Sequence, residues 1–209
     1  MRKNRARRLS VLAGISGLLS MCAAVSAPAA TAETGVLGAA CVATFTTNGV
    51  EAPPLPVSGS IRILGSAPAT VRVDEPILFS DVRATLALDW ETVRPEFEKR
   101  GLTTMTGYLQ GLHIDRRLDG VQDWPFLVWG PFMDSFPVER LGTGVVFDAS
   151  RTELEASPQP GTYVFANYGT AYFSLHWFGG PYDPQVRIGV KCTPDDGQDQ
   201  TFGVTTVTP

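Results

Sequence analysis

The sequence predicts an all-β fold: an antiparallel β-sandwich with one short helix, closed by one disulfide. Three features predict it. Apolar and polar residues alternate with period two in several stretches, 16 Pro and 21 Gly punctuate them, and two cysteines stand near opposite ends of the body. Alternation puts every second side chain on one face of a strand, so each stretch has a face for a core and a face for solvent. About seven or eight short strands with almost no helix suit two packed sheets, with a small barrel as the rival arrangement.

Cys41, Ala43 and Phe45 share one parity, Val42 and Thr44 the other, and Asn48-Gly49 follows as a hairpin turn. Pro53, Pro54 and Pro56 hold the next stretch extended before Val57, Gly59, Ile61 and Ile63 alternate with Ser58, Ser60 and Arg62. Val71 and Val73 lead to a bend at Asp74-Glu75-Pro76. The cleanest run is Val82 to Trp90, with Val82, Ala84, Leu86, Leu88 and Trp90 on one face.

The one predicted helix spans roughly Glu91 to Arg100. Its acids precede Lys99 and Arg100, Gly101 follows as a C-cap, and Val93 and Phe97 lie four apart to form an apolar stripe. Pro95 is expected in the first turn, because a proline deeper in a helix removes a hydrogen bond. Thr162–Ala166, Ala171–Trp177 and Val186–Cys192 complete the strands, with Cys192 on the face of Val186, Ile188 and Val190.

Residues 1–32 read as a secretory signal peptide, 33–40 as a flexible mature N-terminus and 41–209 as the sandwich domain. Arg2, Lys3, Arg5, Arg7 and Arg8 precede an uncharged apolar run from Val11 to about Val25, and Ala30-Thr31-Ala32 offers small residues for cleavage before Glu33. The run is short for a membrane span, which needs about 20 residues, so no integral span is expected. Cys22 leaves lipid attachment as an alternative form of processing, although Met21 stands where that processing wants a small residue. The expected address is extracellular, free or held at the envelope.

Processing changes both charge and cysteine count. The whole chain has 17 Lys+Arg and 21 Asp+Glu; losing the five leader bases leaves 12 against 21, a net of −9. That balance gives no electrostatic footprint for nucleic acid or anionic lipid, so neither is expected as a partner. Cys41 and Cys192 remain, and an even count in an exported chain reads as a disulfide, the alternative being two free buried thiols. The bridge would close a loop of about 150 residues and stabilise by up to roughly 5 kcal/mol on the chain-entropy model.

Four stretches carry a resemblance. They are Cys41-Val42-Ala43-Thr44-Phe45, Trp90 through Gly107, Pro160-Gly161-Thr162, and the run from Val190-Lys191-Cys192 through Thr193-Pro194-Asp195-Asp196-Gly197-Gln198-Asp199. With them the chain resembles a group of secreted actinobacterial domains of unknown function that have an immunoglobulin-like sandwich bounded by two cysteines. The resemblance implies a fold and an address, and no activity.

No motif points to catalysis, so no catalytic residue is assigned. His113 stands near Asp115 and His176 lies on an alternating strand, but no Gly-x-Ser-x-Gly elbow accompanies either. Asp115, Asp119 and Asp123 recur every four residues and Asp195, Asp196 and Asp199 cluster, yet neither set has the spacing of a calcium loop. Two histidines and a bridged cysteine pair leave too few ligands for zinc, so neither metal nor cofactor is expected.

The segment that stands out is Trp124 to Phe136, where Trp124, Phe126, Trp129 and Phe132 are interleaved with Pro125, Gly130 and Pro131. Prolines bar a central strand, so the segment reads as an edge or loop. Its aromatics are either ordinary core at one end of the fold or a binding patch for sugar rings or an apolar partner. The leading expectation is a non-catalytic module that binds an envelope polymer or protein. The alternatives are a carrier of a small apolar or lipid ligand and, behind it, a secreted hydrolase.

Overall fold

Strand alternation is realised along nearly the whole chain. The computed structural model describes residues 29–149, 152–154, 159–167, 169–178 and 184–209, and only the backbone of residues 29, 123–126, 152–154 and 184. Most of the signal-peptide stretch, residues 1–28, therefore lies outside the described residues. The strands are β1 (Ala29–Glu33), β2 (Leu37–Thr47), β3 (Val50–Glu51), β4 (Leu55–Pro68), β5 (Thr70–Arg72) and β6 (Ile77–Leu88). After helix α1 (Trp90–Lys99) come β7 (Thr104–Leu118), β8 (Val121–Val128), β9 (Phe136–Pro137), a 3-10 turn (Val138–Gly142), β10 (Val145–Asp148) and β11 (Thr152–Leu154). The chain ends with β12 (Gly161–Ala166), β13 (Ala171–Phe178), β14 (Pro184–Pro194) and β15 (Thr201–Thr208).

Among the described residues the ladders form one continuous 15-stranded sheet, where two separate sheets are the expectation for a sandwich. Its main path is β10-β6-β4-β2-β14-β13-β7-β12-β15-β5. Pairing along it is antiparallel except at the end, where β5 runs parallel to β15. The sheet curls around one core. Phe147 of β10 meets Phe173 of β13 at 4.9 Å between ring centroids, and Phe79 of β6 meets Phe165 of β12 at 4.9 Å and Phe202 of β15 at 5.3 Å. These contacts join strands far apart along the hydrogen-bonded path, so they are made across the core.

The Cys41–Cys192 disulfide is present, and both residues are buried. They stand directly opposite one another in the β2–β14 ladder, so the bridge ties two neighbouring strands. Ile188 and Val190 share the buried face of β14 with Cys192, as the alternation predicts.

Helix α1 closes one end of the core. Its buried face is Val93 and Phe97, with Phe97 edge-on to Phe45 at 5.5 Å and tilted against Trp90 at 5.8 Å. The end is a Schellman arrangement around Gly101: Leu102 N–H donates to Phe97 O at 3.0 Å and Gly101 N–H to Glu98 O at 3.0 Å. Two details differ from expectation. Trp90 begins the helix instead of ending the strand: Asp89, whose N–H still donates to Ser58 O at 2.8 Å, is the N-cap residue. Pro95 is consequently the sixth helical residue, past the first turn. Pro95 and Glu91 are both exposed, so water can solvate the Glu91 carbonyl that proline leaves without a donor.

Residues 33–40 join the sheet at both ends. Glu33 ends β1, Thr34 is fully buried, and Leu37 to Ala40 open β2. A flexible lead-in is expected of residues with little apolar bulk, but here the small side chains fit a close-packed seam.

Candidate functional site

The long strand β7 organises the outer surface. It pairs with β13 through residues 106–112 and with β8 through residues 112–118, so β8 lies at an edge, as Pro125 requires. A bulge shifts the β7–β13 register between Leu109 and Gly111. Beyond β8 the chain keeps close to β7: Gly130 N–H donates to Leu109 O at 2.9 Å and Met133 N–H to Gly107 O at 2.8 Å. The Thr106 hydroxyl donates to the Met133 carbonyl and fastens the same segment. This strap lays Phe132 over the outer face of the sheet.

Four rings gather there. Phe132 lies 4.6 Å from Tyr108 and 5.3 Å from His176, while His176 stacks on Tyr108 at 5.7 Å and on Phe178 at 5.9 Å. The β13 residues Phe173 and Leu175 point into the core, so Ser174, His176 and Phe178 point outward. Ser174 and His176 are nevertheless only 4 % and 6 % exposed, whereas Trp129 and Phe132 are 59 % and 57 % exposed and Leu127 and Phe178 are 43 % and 41 %. A buried polar pair thus sits under an exposed apolar rim.

Ser174 Oγ and His176 Nε2 are hydrogen-bonded at 2.7 Å, and His176 Nδ1 has no partner among the described residues. Among the described residues no carboxylate is hydrogen-bonded to the imidazole, as the acid of a hydrolytic triad is, and Ser174 is buried. Burial, and then the Arg187 charge across the ladder, hold His176 below its ordinary pKa.

That depression has a stability consequence. The unfolded chain binds a proton near pH 6.5 that the folded chain refuses, so the stabilisation is complete above about pH 6.5 and is lost as pH falls toward the folded value. Urea midpoints are expected to drop between about pH 7.5 and pH 5 and to lose most of that slope in His176→Gln. An equal slope in the variant would remove His176 as its source. Glu96 is also held low, chiefly by its hydrogen bond from Arg100, but a depressed carboxylate acts in a more acid window.

Of the other sequence candidates, the backbones of Trp124 and Phe126 stand opposite Arg116 and Ile114 in β7, and their side chains lie outside the described residues. His113 is exposed and lies 6.0 Å from the Tyr172 ring, while the Asp115 carboxylate accepts from Gln122 Nε2 at 3.3 Å. Asp119 forms the β7–β8 turn with Gly120 and accepts Thr162 N–H at 3.2 Å. Asp199 accepts Thr201 N–H at 3.0 Å, which lowers its pKa. Among the described residues no group of three or more His, Cys, Asp or Glu could hold a metal ion, and no helix is long and apolar enough to cross a membrane.

Sequence reasoning singled out Trp129 and Phe132 but missed the cluster of Tyr108, His176 and Phe178 that Phe132 joins. The outward parity of His176 and Phe178 was available; the register that brings β13 beside β7 was not. No protein-family model, curated protein or solved structure matches the chain.

Proposed function

We propose that the chain is an exported, non-catalytic binding module that engages an envelope polysaccharide through the aromatic surface of β7, β13 and the strap between β8 and β9. One observation carries this: Phe132 and Phe178 are 57 % and 41 % exposed where they meet His176 and Tyr108 on one outer face, and Trp129 and Leu127 of the adjoining edge segment are 59 % and 43 % exposed. Contiguous exposed apolar surface of this kind marks an interaction site more often than scattered single residues do. A sugar ring has an apolar face and a rim of hydroxyls. Flat rings meet the face, and the exposed Gln110, Asp134 and Arg187 supply hydrogen-bonding groups for the rim. An immunoglobulin-like sandwich of the secreted actinobacterial type is the fold reading that goes with it, supported by two halves of the sheet facing across one core. The core rings in contact across that space favour a surface site over the interior site of a carrier.

Co-sedimentation with insoluble envelope polysaccharide tests the proposal. The chain is expected to be retained, and Trp129→Ala/Phe132→Ala to bind about tenfold or more weakly, as for loss of central aromatic anchors. Equal retention of the double variant, or no retention of either protein, would count against it.

A further inference from the structure

We propose that export processing cuts this chain on the N-terminal side of Ala30, leaving β1 from Ala30 onward in the mature protein, and not between Ala32 and Glu33. The inference rests on the export reading and concerns where the mature chain begins. β1 is built into the sheet: Ala30 stands opposite Ala67, Thr31 opposite Ser66, Ala32 opposite Gly65 and Glu33 opposite Leu64. Ala32 is 2 % exposed, and its methyl lies 3.2 Å from where a Cβ on Gly203 of β15 would stand. It thus fills the seam between β4 and β15, the two strands that the curl of the sheet brings together.

The chain continues inward from there. Thr34 is fully buried, its N–H donates to Ile63 O at 3.0 Å, and its hydroxyl oxygen accepts Ile63 N–H at 2.9 Å. The Glu33 carboxylate accepts from Arg62 Nε at 2.8 Å. A cut before Glu33 would remove the first four residues of β1, uncover the Gly65–Gly203 seam and place a new ammonium one residue from buried Thr34. Cleavage acts on the unfolded chain, so burial does not protect the bond itself. What disfavours this cut is the product, which lacks a strand whose inward and outward residues match the seam.

Two upstream positions meet the small-residue requirement. Ala24 and Ser26 stand third and first before a cut ahead of Ala27, and Ala27 and Ala29 stand so before a cut ahead of Ala30. In either case a leader peptidase adds water across one peptide bond. The leader departs with a new carboxylate, and the mature chain keeps the Ala30–Glu33 part of β1 behind a new ammonium.

N-terminal sequencing and intact mass of the protein recovered outside an exporting bacterial host give the test. A terminus at Ala27 or Ala30 supports the proposal. A terminus at Glu33 overturns it and leaves export standing, whereas retention of Met1 overturns the export reading on which it rests. A second arm uses Ala30→Lys, an exposed position where a large charged residue spoils only the Ala30-Thr31-Ala32 site. Processing at an unchanged upstream terminus is expected. Accumulation of the uncut precursor would contradict it.

Discussion

Replacing Cys41 and Cys192 together by alanine is expected to cost about 2–5 kcal/mol of stability, and on the order of 10 °C in Tm for a domain of this size. The bridge spans a sequence separation of 151, so it removes much freedom from the unfolded chain. The ladder around it is complete without it: Lys191 pairs with Val42 on one side of the cysteines and Thr193 with Ala40 on the other. Topology and binding should therefore survive at temperatures where the variant is folded, and the loss should appear in stability alone. Urea denaturation of the oxidised protein and the double variant measures it. A difference below about 1 kcal/mol would mean that strand pairing already fixes the unfolded ensemble or that the bridge is strained.

Gly130→Ala is expected to be nearly as costly and to abolish binding as well. A Cβ at Gly130 would stand 1.8 Å from the backbone oxygen of Asp148, and no side-chain rotation can relieve a clash with backbone. The strap must then lift from β10. It would give up the Gly130-to-Leu109 and Met133-to-Gly107 hydrogen bonds and carry Phe132 off Tyr108 and His176. A destabilisation of about 3 kcal/mol is in line with severe overpacking. Gly189→Ala on β14 is the control, because a Cβ there meets nothing within 4 Å. It should leave melting and binding unchanged or raise stability slightly. If Gly130→Ala melts like Gly189→Ala, the strap is not anchored as described.

The strands read from the sequence share one property: uninterrupted alternation with one apolar face. β2, β4, β6, β12, β13 and β14 all have it, and the bridge and the helix with its Gly101 cap were legible for equally local reasons. β7, the longest strand, was not. Its bulge at Leu109–Gly111 puts buried Gly111 and Leu112 side by side, and glycines interrupt the apolar side, so its period fails midway. β15 hides because threonines occupy both of its faces, and β1 because its small residues also suit a cleavage site. The curl into one sheet depends on pairings such as β5 with β15, which no local pattern encodes.

The candidate site divides in the same way. Trp129 and Phe132 announce themselves as aromatics among prolines and glycines, in a segment where no central strand can form. Ser174 and His176 look like ordinary outward residues of an alternating strand. Phe132 of the strap, with Tyr108 and Phe178, packs against His176 in this buried pair.

The most direct test is an NMR titration of the folded protein with soluble fragments of an envelope polysaccharide, the class of ligand proposed for it. Saturable perturbations are predicted to begin at the Trp129 indole and the Phe132 and Phe178 rings and to spread to Tyr108 and His176. Perturbations confined to other exposed apolar positions, such as Val36, Val50 or Val204, would contradict the account. So would a spectrum that does not change at all.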